Sequence, residues 1–160
     1  MSVAPYRAGT WLGLTALASL AAVGAALISQ HLFGMEPCPW CILQRVIFVA
    51  IALACLIGLL WRTTPGRVLS ATLAILLALS GIAAALWQHF VAASSTSCNL
   101  TFADQVIGTL GLDAAWPDVF SPRASCADAA VDLLGVPYEF WSLALFVVAA
   151  GVGVRVLRHR

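Results

Sequence analysis

The sequence predicts an all-α membrane protein, a four-transmembrane-helix bundle with two loops on one side of the bilayer and both termini on the other. Three observations predict it. Hydrophobic residues make up 62% of the 160 residues, and the mean hydropathy is +0.98. Charged residues make up only 9%, against roughly 25% in soluble domains. The apolar residues fall into four runs, each close to the ~20 residues a helix needs to cross a bilayer. So few charges cannot cover a soluble domain, which excludes a disordered chain, a nucleic-acid-binding surface and an ordinary cytosolic enzyme. The length allows one domain, and residues 1–160 are read as a single membrane domain.

The first run, residues 11–32, carries no charge; Thr15, Ser19, Ser29, Gln30 and His31 are its polar interruptions. An Ala-Leu-Ala triplet at Ala16–Ala18 could be cut as a signal peptide, but the apolar run continues well past it, so the segment reads as a retained helix. The second run, 42–61, is broken only by Gln44 and Arg45 near its start. The third, 68–93, has Gln88 and His89 near its end, and the fourth, 140–157, has only Arg155 near its end. A barrel would show short alternating segments instead. The Ala and Gly content of the first and third runs suits close helix packing, and the small pair Gly9 and Gly13, near the helix end, is weak evidence for a dimer.

The connections differ. Residues 62–67, Arg-Thr-Thr-Pro-Gly-Arg, form a tight turn, so the second and third helices are antiparallel neighbours. Residues 33–41 form a short loop with Gly34, Pro37 and Pro39, and residues 94–139 form the one long loop. Orientation follows from the basic residues, which favour the cytoplasmic side. Arg7, Arg62, Arg67, Arg155, Arg158 and Arg160 fall on one side, which is read as cytoplasmic; Arg45, Arg123 and every Asp and Glu fall on the other.

Four of the five cysteines lie in the outer loops: Cys38 and Cys41 in the first, Cys98 and Cys126 in the second. Cys55, within the second helix, reads as a small buried hydrophobe. Disulfides persist outside the cytoplasm. Cys38-Pro39-Trp40-Cys41 is the sharpest signal. A disulfide across two residues closes a very small ring and stabilises little by loop closure, so such a ring points to reactivity. The motif runs into a helix N-terminus, whose N–H groups and dipole favour a thiolate. Arg45 lies four residues beyond Cys41, on a neighbouring helix face. A guanidinium there needs an anionic partner or must snorkel to lipid phosphate. Zinc is the competing use of four cysteines, but the 27 residues between Cys98 and Cys126 make a poor zinc knuckle, and redox chemistry is preferred.

Ser94-Ser95-Thr96-Ser97 precedes Cys98 and reads as mobile. Val106, Ile107, Leu110, Leu112, Trp116, Val119 and Phe120 alternate with polar residues, which suits an amphipathic segment on the membrane surface or a lid over the bundle. Two thiol pairs make a relay from a soluble partner to the membrane boundary. With no nucleotide-binding or haem motif, the economical electron acceptor is a lipid-soluble one held between helices.

The chain resembles the DsbB family, the disulfide bond formation proteins B of the bacterial inner membrane. The matching residues are Pro37-Cys38-Pro39-Trp40-Cys41-Ile42-Leu43-Gln44-Arg45, then Trp116-Pro117-Asp118-Val119-Phe120, Cys126, Leu134-Gly135, Pro137 and Trp141. The resemblance implies a thiol:quinone oxidoreductase that reoxidises a DsbA-like periplasmic thioredoxin-fold protein and passes electrons to ubiquinone or menaquinone. It implies that Cys98 forms the mixed disulfide with the partner, that Cys126 then attacks Cys38, and that Cys41 is left as a thiolate beside the quinone. Arg45, with Gln44 beside it, is implied as a quinone-side residue. His89 falls where the family can place a quinone-contacting histidine, and reads equally as a boundary histidine facing water. No metal is implied. Two other classes compete. A quinone-epoxide reductase would carry its loop pair upstream of the Cys-x-x-Cys, the reverse of the order here. A disulfide-stapled scaffold leaves Arg45 and the small ring unexplained.

Overall fold

The computed structural model describes residues 4–94 and 101–158. Among the described residues, four helices are long and apolar enough to cross a membrane. They are α1 (Ala4–Phe33), α2 (Pro39–Leu60), α3 (Thr64–Phe90) and, after three short helices in the second loop, α7 (Tyr138–Arg158). The short helices are α4 (Phe102–Leu110), α5 (Leu112–Ala115) and α6 (Pro117–Phe120), and a single 3-10 turn at Ala92–Ser94 follows α3. The chain thus folds as a four-helix membrane bundle.

The helix starts differ from the sequence expectation for a local reason. α2 begins at Pro39 rather than at residue 42, because a proline suits the first helical position, where its missing N–H costs nothing. Cys38 is the N-cap, and its sulfur accepts the Cys41 N–H at 3.3 Å. α3 begins at Thr64 rather than at 68, with Pro65 in its first turn and Thr63 as N-cap, accepting the Gly66 N–H at 3.4 Å.

The spans run alternately up and down, so the α2–α3 turn lies at the same end as the start of α1 and the end of α7. At that end the Arg155 guanidinium stands 5.1 Å from the Trp11 ring centroid. Lipid offers no hydrophobic force between helices, so membrane bundles associate through small residues that allow close approach. α3 buries Ala71, Ala74, Ala78, Gly81 and Ala85 along one face. Gly81 is required there: a Cβ would stand 2.5 Å from the Phe146 ring of α7. Phe146 in turn stacks on Phe48 of α2 with centroids 4.1 Å apart. Gly9 and Gly13 both face Leu59 of α2, which a Cβ at either position would meet at 3.8 Å, so this small pair packs α1 on α2 within the chain. α7 packs closely on α3 and only lightly on α1, which leaves a seam between α1 and α7.

The amphipathic run in the second loop is a lid packed on the bundle. Thr101 and Asp104 form a capping box at the start of α4, and Gly111 ends it with φ +64°. Ile107 and Phe120 are buried against Ile42 of α2, while Leu110 and Trp116 face outward. A minimal antiparallel hairpin, β1 (Asp132–Leu133) with β2 (Val136–Pro137), completes the loop. An all-helical reading has no place for it, because two residues per strand give no alternation to detect. Its turn, Leu134-Gly135, has positive φ at both positions, as tight hairpins require. The Trp141 indole N–H donates to Leu133 O at 3.3 Å and ties the hairpin to α7.

Candidate active site

The two outer loops meet at the start of α2. The carbonyl of Pro37 accepts from the backbone N–H of Arg123 at 2.9 Å and of Ala124 at 3.3 Å. That pins the second loop beside the first two residues before Cys126. Trp40, inside the Cys-x-x-Cys, packs between Trp87 of α3 and Phe102 of α4, with centroids 6.2 and 6.5 Å away.

Three cysteines converge here. The Cys38 and Cys41 sulfurs are 2.7 Å apart, and the Cys126 thiol lies close enough to act on the Cys38 thiol. Cys38, with no exposed surface, is the middle member; Cys126 is buried as well. At the helix N-terminus the Cys41 N–H goes to the Cys38 sulfur. The Cys38 thiol is pushed far above the ordinary thiol range, because it donates to Cys126 and to Cys41 and is buried. The Cys126 thiol is lowered, because Cys38 donates to it and the Trp40 N–H adds to this; burial opposes the shift. Cys98 and the residues 95–97 before it lie outside the described residues. Cys55 is buried in mid-α2, away from this cluster.

Below the sulfurs lies a cavity of about 240 Å³ between α1, α2, α3 and α7. Ala22, Ala25, Ala26, Phe48 and Leu145 give it apolar walls; Cys41, Gln44, Arg45, Gln88, Tyr138 and Glu139 give it polar ones. Ala25, Trp141 and Leu145 are exposed at its rim, so it opens sideways along the α1–α7 seam.

Arg45 does not reach for the surface; it is 5% exposed. Its Nη1 donates to Gln30 Oε1 at 2.7 Å and to Val119 O at 2.9 Å, and its Nη2 donates to Ala26 O at 3.4 Å. Gln30 Nε2 then donates to Asp118 O at 3.2 Å. The carbonyls at the end of α6, which lack helical partners, are thus satisfied from inside the bundle. Gln44 turns away from Arg45 and donates to Gln88 Oε1 at 2.7 Å, and Gln88 Nε2 donates to the Cys41 sulfur at 3.4 Å. His89 is not part of the cavity wall. Its Nδ1 pairs with Glu139 Oε1 at 2.7 Å, and Glu139 is the group that faces the cavity.

Gln30, Gln88 and Glu139 were not singled out by sequence reasoning. The signal that could have found them is the general one that polar groups within a span face the protein interior and have partners there.

Clustered sulfurs held at the end of a membrane bundle, above a side-opening cavity, make this a multi-pass membrane thiol protein. A family model, Disulfide bond formation protein DsbB, matches residues 8–156. "Disulfide bond formation protein B 1" of Pseudomonas savastanoi pv. phaseolicola is 35% identical over 158 residues, covering 96% of this chain and 92% of the relative. "Disulfide bond formation protein B" of Herminiimonas arsenicoxydans is 34% identical over 136 residues, 84% and 85% of the two chains. The chain belongs to the DsbB family: it is a membrane oxidoreductase of disulfide bond formation.

Proposed function

We propose that the protein reoxidises a DsbA-like periplasmic thioredoxin-fold dithiol and passes the electrons to membrane quinone, ubiquinone or menaquinone, in the bacterial inner membrane. The observation that carries this reading is the position of Cys38 between Cys126 and Cys41. A thiolate at Cys126 attacks the Cys38 sulfur of a Cys38–Cys41 disulfide. The Cys126–Cys38 bond forms, the Cys38–Cys41 bond breaks, and the electron pair leaves on the Cys41 sulfur, which lines the cavity. Upstream, a thiolate of the partner opens a Cys98–Cys126 disulfide at Cys98 and so releases Cys126. The partner's second thiol then frees Cys98, which recovers Cys126 and leaves Cys38 and Cys41 reduced.

The donor set fits a quinone. A flat apolar ring with two carbonyl oxygens needs an apolar slot with N–H donors at one end, and the cavity offers alanines with Arg45 and glutamine amides. Of the five guanidinium donors, three are accounted for among the described residues. When bound, the quinone supplies a sink for two electrons and two protons. Arg45 orients its oxygen, Gln44 acts through Gln88, and His89 is held behind Glu139, so its contact with this group is indirect.

The test is anaerobic. Purified protein is mixed with a reduced thioredoxin-fold dithiol and a soluble quinone, and loss of quinone absorbance is followed against partner thiols. One quinol per dithiol oxidised is expected; a stapled scaffold gives no turnover. Orientation is tested separately. The basic residues put both termini in the cytoplasm and both loops in the periplasm. In reduced spheroplasts an impermeant thiol reagent is expected to label the loop cysteines and to spare Cys55. Labelling of a C-terminal tag from outside would overturn the topology.

A further inference from the structure

We infer that Gln88 is a further catalytic residue, an N–H donor aimed at the Cys41 sulfur and oriented by Gln44. Both glutamines are 4% exposed, in spans where an unpaired amide is costly. Their hydrogen bonds form one directed chain: Gln44 Nε2 to Gln88 Oε1, then Gln88 Nε2 to the Cys41 sulfur. A thiolate only accepts, so an ionised Cys41 fixes the polarity of that chain, and Gln44 completes it by donating to the Gln88 oxygen. Gln88 sits in the last turn of α3 and Gln44 in the second turn of α2, so the pair also joins the helices that flank the Cys-x-x-Cys.

This deepens the proposed function and rests on it in one respect, that Cys41 is the sulfur on which the electron pair lands. As Cys126 bonds to Cys38 and the Cys38–Cys41 bond breaks, charge grows on Cys41. An amide N–H already pointed at that atom needs no reorganisation, which is how preorganised donors stabilise developing charge. The titratable groups that face the same cavity are Arg45 from α2 and Tyr138 and Glu139 from α7, and Cys38 at the start of α2 lies 2.7 Å from that sulfur. α1 adds Ser29 and Gln30 nearby, neither of which titrates.

The experiment isolates Cys41 and needs neither partner nor quinone. In full-length protein with Cys38, Cys55, Cys98 and Cys126 replaced by alanine, the rate of Cys41 alkylation by iodoacetamide is measured against pH. Gln88→Leu is expected to move the midpoint up by about one pH unit, a tenfold loss of thiolate at fixed pH, in line with a hydrogen bond to a charged acceptor. Gln44→Leu is expected to give a smaller rise. The double variant should match Gln88→Leu alone, since Gln44 acts through Gln88; an additive shift would show two independent effects and overturn the relay. An unchanged midpoint in Gln88→Leu overturns the proposal. Gln88→Asn keeps the donor type on a shorter arm, whereas Leu keeps the bulk without a donor: a midpoint closer to the parent in Asn than in Leu supports N–H donation, and a shift in Asn equal to or larger than that in Leu would make packing the cause and overturn it. Turnover of the parent with dithiol and quinone is measured alongside. Its failure would sink the proposed function while leaving the Gln88 result to stand alone.

Discussion

Cys126→Ser is expected to lower partner-dependent quinone reduction by roughly 10⁶-fold, the scale seen when an enzyme loses its attacking group. The reason is geometric. Cys126 is the loop cysteine placed to act on Cys38, and a serine hydroxyl is not ionised at neutral pH. The readout that separates this from misfolding is the state of Cys41. Adding reduced partner to the parent should expose Cys41 to alkylation, whereas in Cys126→Ser the Cys38–Cys41 disulfide should persist. Cys98→Ser should lose partner oxidation with the same disulfide intact. Fresh Cys41 labelling in Cys126→Ser would mean that electrons reach it by another route. The pH dependence has a definite sign. The Cys126 thiol is lowered by the hydrogen bond from Cys38, so its alkylation in reduced protein should continue below the pH at which a free cysteine stops reacting. Removing the Cys38 sulfur should push that limit up.

Arg45→Ala is expected to raise the apparent KM for quinone by about ten- to a hundredfold, the scale of a lost hydrogen bond to a charged group. Arg45→Lys should lie between the two. A lysine carries the charge but not the planar fork that reaches Gln30, Val119 and Ala26 together. A residue that merely anchored to lipid phosphate would tolerate lysine without loss. Normal quinone kinetics in both variants would remove the main reason for setting the quinone against Cys41.

The spans were legible because burial in lipid demands long apolar runs, and the four runs leave little choice of architecture. The cysteine motif and Arg45 were legible because each is costly or purposeless in a bland helix. The rest depended on helix phase. Gln88 and His89 are adjacent in sequence but point about 100° apart on a helix of 3.6 residues per turn. Only the packed structure tells that Gln88 faces the cavity and His89 the flank, against Glu139. Gln44 and Arg45 divide in the same way, one toward α3 and one toward α1. The lid needed knowledge of its seat. Ile107 and Phe120 are hydrophobic enough for a bilayer surface or for Ile42, and Ile42 is where they lie.

The hydrogen bond from Arg45 to Val119 crosses from the membrane interior into the loop that carries Cys126. If the segment from α6 to Cys126 lifts outward to meet a partner, Val119 leaves Arg45 and Asp118 leaves Gln30 in the same movement. A buried guanidinium that has lost one of its three acceptors, and keeps only Gln30 and Ala26, is a costlier state. In that case the arginine would act as a return spring: departure of the partner would let the loop fall back and restore the Arg45–Val119 and Gln30–Asp118 hydrogen bonds together with the position of Cys126 beside Cys38.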